Sequence, residues 1–310
     1  MKIKTLIMVI ASVVLFGGLS LCTAALAMEN FDFRKMNINP EYEERTYSCE
    51  AGSARSVHIR QSNSNIIVLP SPDERIHITY FDNETAHYSI VESDIKITVD
   101  YSPKKLWYEY LLLTFDFQNH PLTLYLPEKY EGSIDLATSN SEIRINNLDI
   151  DGDVMMKTSN GKITASALTV SGGLFADTSN AAVLLTDVKA KGTLHSGTSN
   201  GPIELYNVTA RDLSSNTSNG RITANGVEAY EIRFDTSNAG IALSEVDVSY
   251  KIYCNTSNGR IHGDVAGSMS DFNIKSRTSN AGSSLPRQNS GGSKYMEMYT
   301  SNGEINVTFR

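Results

Sequence analysis

The chain has 310 residues, 40% hydrophobic and 20% charged, enough for one or two folded domains. Twenty-seven Lys and Arg face 35 Asp and Glu; without Lys2 and Lys4 the balance past Glu29 is 25 against 35, a net −10. A body of that sign excludes nucleic acid, whose phosphates need a basic face, and argues against simple docking on anionic lipid or teichoic-type polymers.

Met1-Lys-Ile-Lys is followed by an uncharged run from Thr5 to Met28. Two readings compete for residues 1–28. A cleaved signal peptide has this basic start and apolar centre, with Ala25-Leu26-Ala27 as its cleavage site. A membrane anchor needs about 20 apolar residues, and the run exceeds the roughly 7–15 of a signal core. Length favours the anchor, with Lys2 and Lys4 holding the start in the cytoplasm. Lipoprotein processing at Cys22 is disfavoured by the bulky Leu21 before it. An anchor gives a single-pass protein of the cell membrane with an extracytoplasmic domain; cleavage gives a secreted one. Cys22, Cys49 and Cys254 are too few for a disulfide framework and read as buried free thiols. Cys49 and Cys254 can pair only if the fold brings them together.

Residues 29–47 are polar and mixed, with Pro40, and read as a tether. From residue 48 to 137 an N-terminal β part is expected. Ser56-Val57-His58-Ile59-Arg60, Arg75 to Thr79, Ser93 to Val99 and Leu122 to Leu126 alternate polar and apolar residues, the period of strands with one buried face. Pro127 stops the last of them. Gln61-Ser62-Asn63-Ser64-Asn65-Ile66-Ile67-Val68 looks like a worn first copy of a repeat that becomes regular at Thr138.

From there the triplet Thr-Ser-Asn recurs nine times, beginning at Thr138, Thr158, Thr178, Thr198, Thr217, Thr236, Thr256, Thr278 and Thr300. A near-constant period of about 20 residues is the mark of a solenoid in which each repeat is one coil. With Thr as position zero, apolar residues fall at +5, +7, +10, +12, +16 and +18. In the second copy these are Ile163, Ala165, Leu168, Val170, Leu174 and Ala176. Each pair is a short strand with two inward side chains. The same phase carries Thr and Asn inward and leaves Ser outside. The expectation is an all-β, parallel β-solenoid over 138–310, with coils about 4.8 Å apart and a rod of roughly 40 Å. Its asparagines, Asn140, Asn160, Asn180, Asn200, Asn219, Asn238, Asn258, Asn280 and Asn302, form an interior ladder of amides bonded from coil to coil. Buried amides must be paired, so the triplet reads as corner architecture rather than a ligand site.

Both ends of such a stack are open edges that allow self-association. Val307-Thr308-Phe309-Arg310 ends the last half-coil with nothing after it to cover it. Ser283 to Ser293 reads as a loop pushed out of the rod.

Few residues suggest chemistry. Tyr101 to Pro121 holds the only tryptophan, with Trp107, Tyr108 and Tyr110 as a candidate contact surface for sugar or protein. The reading favoured for the same rings is a flap that covers the open side of the first coils. Asn147 to Asp153 resembles the front of a calcium loop, but Thr158 stands where the bidentate Glu belongs. The six histidines lack metal-ligand spacing, and His58 and His77 alternate with inward residues and face solvent. No nucleophile elbow, phosphate loop or zinc-protease motif is present, so no catalytic, metal or cofactor residues are assigned.

The alternating early strands, the aromatic insert, Leu124-Tyr125-Leu126-Pro127 and the Thr-Ser-Asn-Gly-x-Ile coils together resemble the bacterial putative-adhesin domain of unknown function, the LiaG-like group of envelope proteins. The resemblance covers roughly Ser48 to Arg310. It implies a membrane-anchored extracytoplasmic β-solenoid and supplies no catalytic residues. The expected function is a non-enzymatic binding or scaffold module whose partner is an envelope protein or glycan. The aromatic insert and the C-terminal edge are its expected contact surfaces. The alternatives are a polysaccharide-active β-helix enzyme, for which two carboxylates in a groove are needed, and an accessory protein of an envelope-stress signalling system.

Overall fold

The computed structural model describes residues 3–28, 41–83, 86–103 and 120–310. Trp107, Tyr108 and Tyr110, with most of the aromatic insert, lie outside the described residues. So do residues 29–40 of the expected tether.

The helix α1 (Ile3–Met28) has 26 residues. Its side chains are described without a break over 8–24, 17 residues, all exposed. Among the described residues no helix is long and apolar enough to cross a membrane. The uncharged sequence run from Thr5 to Met28 is longer than that described stretch. The second unit, Glu43–Pro103 with Asn119–Arg310, is all β.

Its strands are β1 (Glu43–Glu50), β2 (Ser56–Arg60), β3 (Ile66–Pro70), β4 (Arg75–Asp82), β5 (Ala86–Ser93), β6 (Lys96–Pro103), β7 (Leu122–Leu126), β8 (Lys129–Tyr130), β9 (Ser133–Ala137), β10 (Ile143–Ile150), β11 (Val154–Lys157), β12 (Ile163–Val170), β13 (Leu174–Asp177), β14 (Val183–Gly197), β15 (Ile203–Asn216), β16 (Ile222–Asp235), β17 (Ile241–Asn255), β18 (Ile261–Val265), β19 (Phe272–Arg277), β20 (Lys294–Tyr299) and β21 (Ile305–Phe309). They form a parallel β-solenoid of about 9 turns with ~20-residue spacing. β1 begins inside the stretch expected to be tether, because Glu43 to Glu50 pair antiparallel with Asp82 to Arg75 of β4.

Each coil has three sides. On the first, position +5 stacks on itself: Ile143 pairs with Ile66 and Ile163, and the column continues through Val183, Ile203, Ile222, Ile241 and Ile261 to Ile305. All nine are buried. β-branched side chains at one position suit this packing, since each meets an identical neighbour on a pleated surface. Ile66 and Asn63 thus make residues 61–68 a true first coil. The corner between the first and second sides is a left-handed residue at +9. Asn147, Ala167, Asp187, Asn207 and Glu245 have φ between 48° and 56°, and Gly226 has 65°. Asn, Asp and Gly tolerate that region best.

The Thr-Ser-Asn corner differs from expectation in one respect. Thr is buried, with Thr158 3% and Thr256 2% exposed, and Ser faces out. The nine asparagines also face out, and every one of them is exposed. The strand ends at Thr, so its alternation does not carry on to Asn. The N–H groups of both Ser179 and Asn180 donate to the Ser159 carbonyl, at 3.1 and 3.0 Å, and this turn recurs along the stack. The ladder itself is intact. Asn160 Nδ2 donates to Asn140 Oδ1 at 2.7 Å, and the bonds run from Asn63 through Asn140, Asn160, Asn180, Asn200, Asn219, Asn238 and Asn258. It is a surface ridge, not an interior one.

The buried polar work falls to Thr. Thr217 Oγ1 donates to the Gly201 carbonyl of the preceding coil at 3.2 Å and accepts the Gly220 N–H of its own at 3.1 Å. Where +3 is Gly, at Gly161, Gly201, Gly220, Gly259 and Gly303, that second bond forms. A Cβ on Gly161 would collide with the Ser141 carbonyl beneath it.

Both ends carry strands outside the regular stack. On one side β3 pairs with β7, which pairs antiparallel with β4, and β4 with β1; on another β2 pairs with β6, which pairs antiparallel with β5. At the far end the coils leave sequence order. β20 and β21 stack on β17 and β18, and β19 lies outside β20. The ladder takes the same order, with Asn302 bonded to Asn258 and Asn280 to Asn302. The residues after Gly282 are therefore not expelled as a loop. Leu285 is buried, and Asn289 pairs with Ile274 by two backbone bonds of 3.0 Å. Nor is Ile305 to Arg310 bare: the Ser284 hydroxyl and backbone bond Val307 and Ile305.

Candidate binding face

The third side carries a grouping of exposed aromatic and charged residues. Its inward column runs from Val57 through Ile134, Val154, Leu174, Leu194, Leu213, Ile232 and Ile252 to Met296. Alternation puts the intervening residues outside. One outward row is Thr193, Asp212, Glu231, Lys251 and Tyr295; the next is His195, Ser214, Arg233, Tyr253 and Glu297.

The corner that leads onto this side absorbs the changes in coil length. Register shifts fall between Ala190 and Thr193 and between Ala229 and Glu231. Coils of 19 residues have one corner residue where coils of 20 have two. Tyr230 and Tyr250 sit there, 48% and 36% exposed, with ring centroids 5.1 Å apart and planes 10° apart. Tyr295 meets Tyr250 edge-on at 5.5 Å. The three tyrosines thus cluster at the corner next to Glu231 and Lys251, with Tyr295 the register partner of Lys251. Glu231 and Lys251, with Asp212, Arg233 and Tyr253 among others, line a cleft of about 250 Å³.

The charges in and around the cleft are mostly paired. Arg233 lies 4.2 Å over the Tyr253 ring and 2.7 Å from Asp235. Lys251 Nζ is 3.0 Å from Glu297, and Arg211 is 3.7 Å from Asp212. Glu231 makes no ion pair among the described residues. Burial raises the Tyr299 phenol above its usual range, with Glu297 adding to it, so it stays a hydrogen-bond donor. Beneath the face, burial pushes the Cys254 thiol far up, which leaves it neutral and a poor nucleophile.

Asp212 and Glu231 are register partners on neighbouring parallel strands, about 4.8 Å apart by strand spacing. A carboxyl that acts as general acid needs shelter from water. Glu231 is exposed and Asp212 half-buried. The arrangement suits holding a flat polar ligand, with rings for its apolar surface and paired charges for its hydroxyls or amides.

The residues singled out from sequence fall elsewhere. The asparagine ladder is on the opposite edge of the third side. Asp149 and Asp151 are exposed, and among the described residues no group of three His, Cys, Asp or Glu could hold a metal. His58 is half-buried, 2.7 Å from Ser56; His77 bonds Ser48 at 2.7 Å and Asp73 at 2.6 Å. Cys49 and Cys254 are free. Sequence reasoning missed Tyr230 and Tyr250. The signal was present: both come just after the second-side strand, at the point where the repeat loses and regains a residue.

A family model described as Toastrack DUF4097 matches residues 54–309. No curated protein matches the chain. Among solved structures, a protein described as a putative adhesin from Bacteroides fragilis is 15% identical, covering 87% of this chain and 99% of that one, with a TM-score of 0.46. One so described from Parabacteroides merdae is 13% identical over 87% of this chain and 97% of that one, at 0.40. A Parabacteroides distasonis protein described as a putative lipid binding protein is 11% identical over 88% and 99%, at 0.39.

Proposed function

We propose that this chain, which belongs to the Toastrack DUF4097 family, is a non-enzymatic binding or scaffold module of the cell envelope. The observation that carries the reading is the row Tyr230, Tyr250 and Tyr295 beside a cleft of paired charges. Monomeric proteins spend few large apolar side chains on their surface in a cluster without a partner. The partner is an envelope glycan or protein, met by the third side of the stack. Residues 1–28 hold the chain to the membrane, with the solenoid outside the cytoplasm.

The test is recovery of partners from intact envelope by the full chain. Tyr230→Ser with Tyr250→Ser and Tyr295→Ser is expected to lose at least one partner that wild type retains, while Trp107→Ala with Tyr110→Ala probes the aromatic insert separately. Equal recovery by the tyrosine variant removes the third side as the contact. Alkaline extraction of membranes tests the anchor, which predicts that the chain stays in the pellet.

One observation favours a second reading. Asp212 and Glu231 are register partners on neighbouring strands and both line the cleft, which gives the pair of carboxylates that a glycosidase requires. That reading expects release of reducing ends from envelope polysaccharide, abolished by Asp212→Asn and by Glu231→Gln. The exposure of Glu231 places it second.

A further inference from the structure

The cap at the far end carries a feature that the overall charge hides. The chain has 35 acidic and 27 basic residues, so carboxylates outnumber cations. Several cations toward this end of the stack are paired: Arg233 has Asp235 at 2.7 Å, Lys251 has Glu297 at 3.0 Å, Arg310 has Asp264 at 2.8 Å and Lys294 has Asp247 at 3.8 Å. Lys275, Arg277 and Arg287 are not. None of them makes an ion pair among the described residues, and all three are exposed.

The fold brings them together. Lys275 and Arg277 are alternate outward residues of β19, whose inward residues Ile274 and Ser276 are buried. The return segment after Pro286 pairs antiparallel with β19, through a Ser276 N–H to Arg287 carbonyl bond of 3.1 Å and a bridge between Lys275 and Gln288. Two adjoining clefts result. One, of about 490 Å³, is lined by Lys275, Arg277, Arg287, Gln288 and Tyr299. The other, of about 430 Å³, shares Arg277 and Arg287 and adds Ser279 and Ser283. No carboxylate lines either. Glu297 is the register partner of Lys275 but is bonded to Lys251.

We propose that this cap binds a polymer that carries repeated oxyanion groups, phosphate above all, independently of the tyrosine face. Like charges that converge on shared clefts repel one another unless an anion joins them. Two guanidinium forks and an ammonium supply more donors than one small anion can accept, in the planar geometry that phosphate oxygens match. Two clefts joined through Arg277 and Arg287 fit two successive anionic groups better than one. The net acidic body, 35 acidic against 27 basic residues, disfavours polyanions on the rest of the surface.

The probe is inorganic polyphosphate, titrated into the full chain held in neutral detergent, with orthophosphate and phosphatidylglycerol vesicles as separate arms. Wild type is expected to bind polyphosphate, more weakly as salt rises, and at least tenfold more tightly than orthophosphate. Arg277→Gln with Arg287→Gln is expected to lose at least tenfold in affinity with an unchanged melting temperature. Arg221→Gln with Arg260→Gln, two exposed arginines elsewhere, is expected to bind as wild type does. No binding, an equal loss in both double variants, orthophosphate binding as tight as polyphosphate, or tighter capture by vesicles would each overturn the proposal. The tyrosine variant serves as the independent control: it should still bind polyphosphate, so failure of the envelope reading and failure of this one are told apart.

Discussion

Between residues 158 and 255 every strand has a parallel neighbour on both sides, and outside the corner where coil length changes most strand positions meet their own copy above and below. At the two ends the neighbours are of another kind: antiparallel β1, β4 and β5 at one end, an out-of-order strand and an antiparallel return segment at the other. The middle is stabilised by repetition, so each coil depends on its neighbours and on little else. The ends are stabilised by unique contacts, and those contacts also keep parallel edges from pairing with other chains.

The largest effect should come from attacking an end and sparing the middle. Deletion of residues 294–310 removes Met296, Met298, Ile305 and Val307 from the core and unseats Phe272 and Ile274. Each such side chain contributes about 1.5–3 kcal/mol on burial. The truncated chain should aggregate, visible by light scattering. Deletion of a whole middle coil, Thr198 to Asn216, removes more residues yet should leave a soluble, cooperatively unfolding stack, since Gly197 then runs into Thr217 in register. If both deletions behave alike, the contrast between ends and middle is wrong.

Within a middle coil, the two polar positions of the Thr-Ser-Asn corner can be ranked. Thr217→Val keeps the shape but strands the buried Gly220 N–H, at a cost of about 2 kcal/mol in urea unfolding. Asn219→Ala breaks two ladder bonds on an exposed ridge, where water substitutes, and should cost about 1 kcal/mol or less. The reverse order would restore an interior ladder. Smaller still, and of opposite sign, is Ala167→Gly. Ala167 holds φ at 48° in a column otherwise of Asn, Asp, Gly and Glu. Relief of that strain outweighs the added freedom of the unfolded chain by about 0.5–1 kcal/mol, read as a higher unfolding midpoint.

The middle was legible because its period and its alternation are both local. Ile163, Ala165, Leu168, Val170, Leu174 and Ala176 are each buried where the count places them. What alternation cannot show is where a strand stops: Thr158 and Asn160 share a phase in the sequence, but a bend at Ser159 separates them, and the amide goes to water. The ends were opaque for a different reason. Thr278 and Thr300 look alike as repeats, and no local signal says that the later copy stacks on Thr256 first. The candidate site was half legible. Tyr230 and Tyr250 are visible in the sequence, but their adjacency depends on the one-residue slip between neighbouring coils.

The inverted order at the far end also constrains how the molecule is made. Residues 272–277 leave the ribosome, and any export channel, before the strand that seats them exists. Coils can zip on one after another as far as Val265, then must wait: β17 keeps a bare flank until Lys294 to Phe309 arrive and slip in beneath β19. Nascent chains stalled between those points should be cut readily by protease at 266–293 and resist it once some sixteen further residues, 294–309, have emerged. Full-length nascent chains that stay equally sensitive would show that the closing step is not the last one.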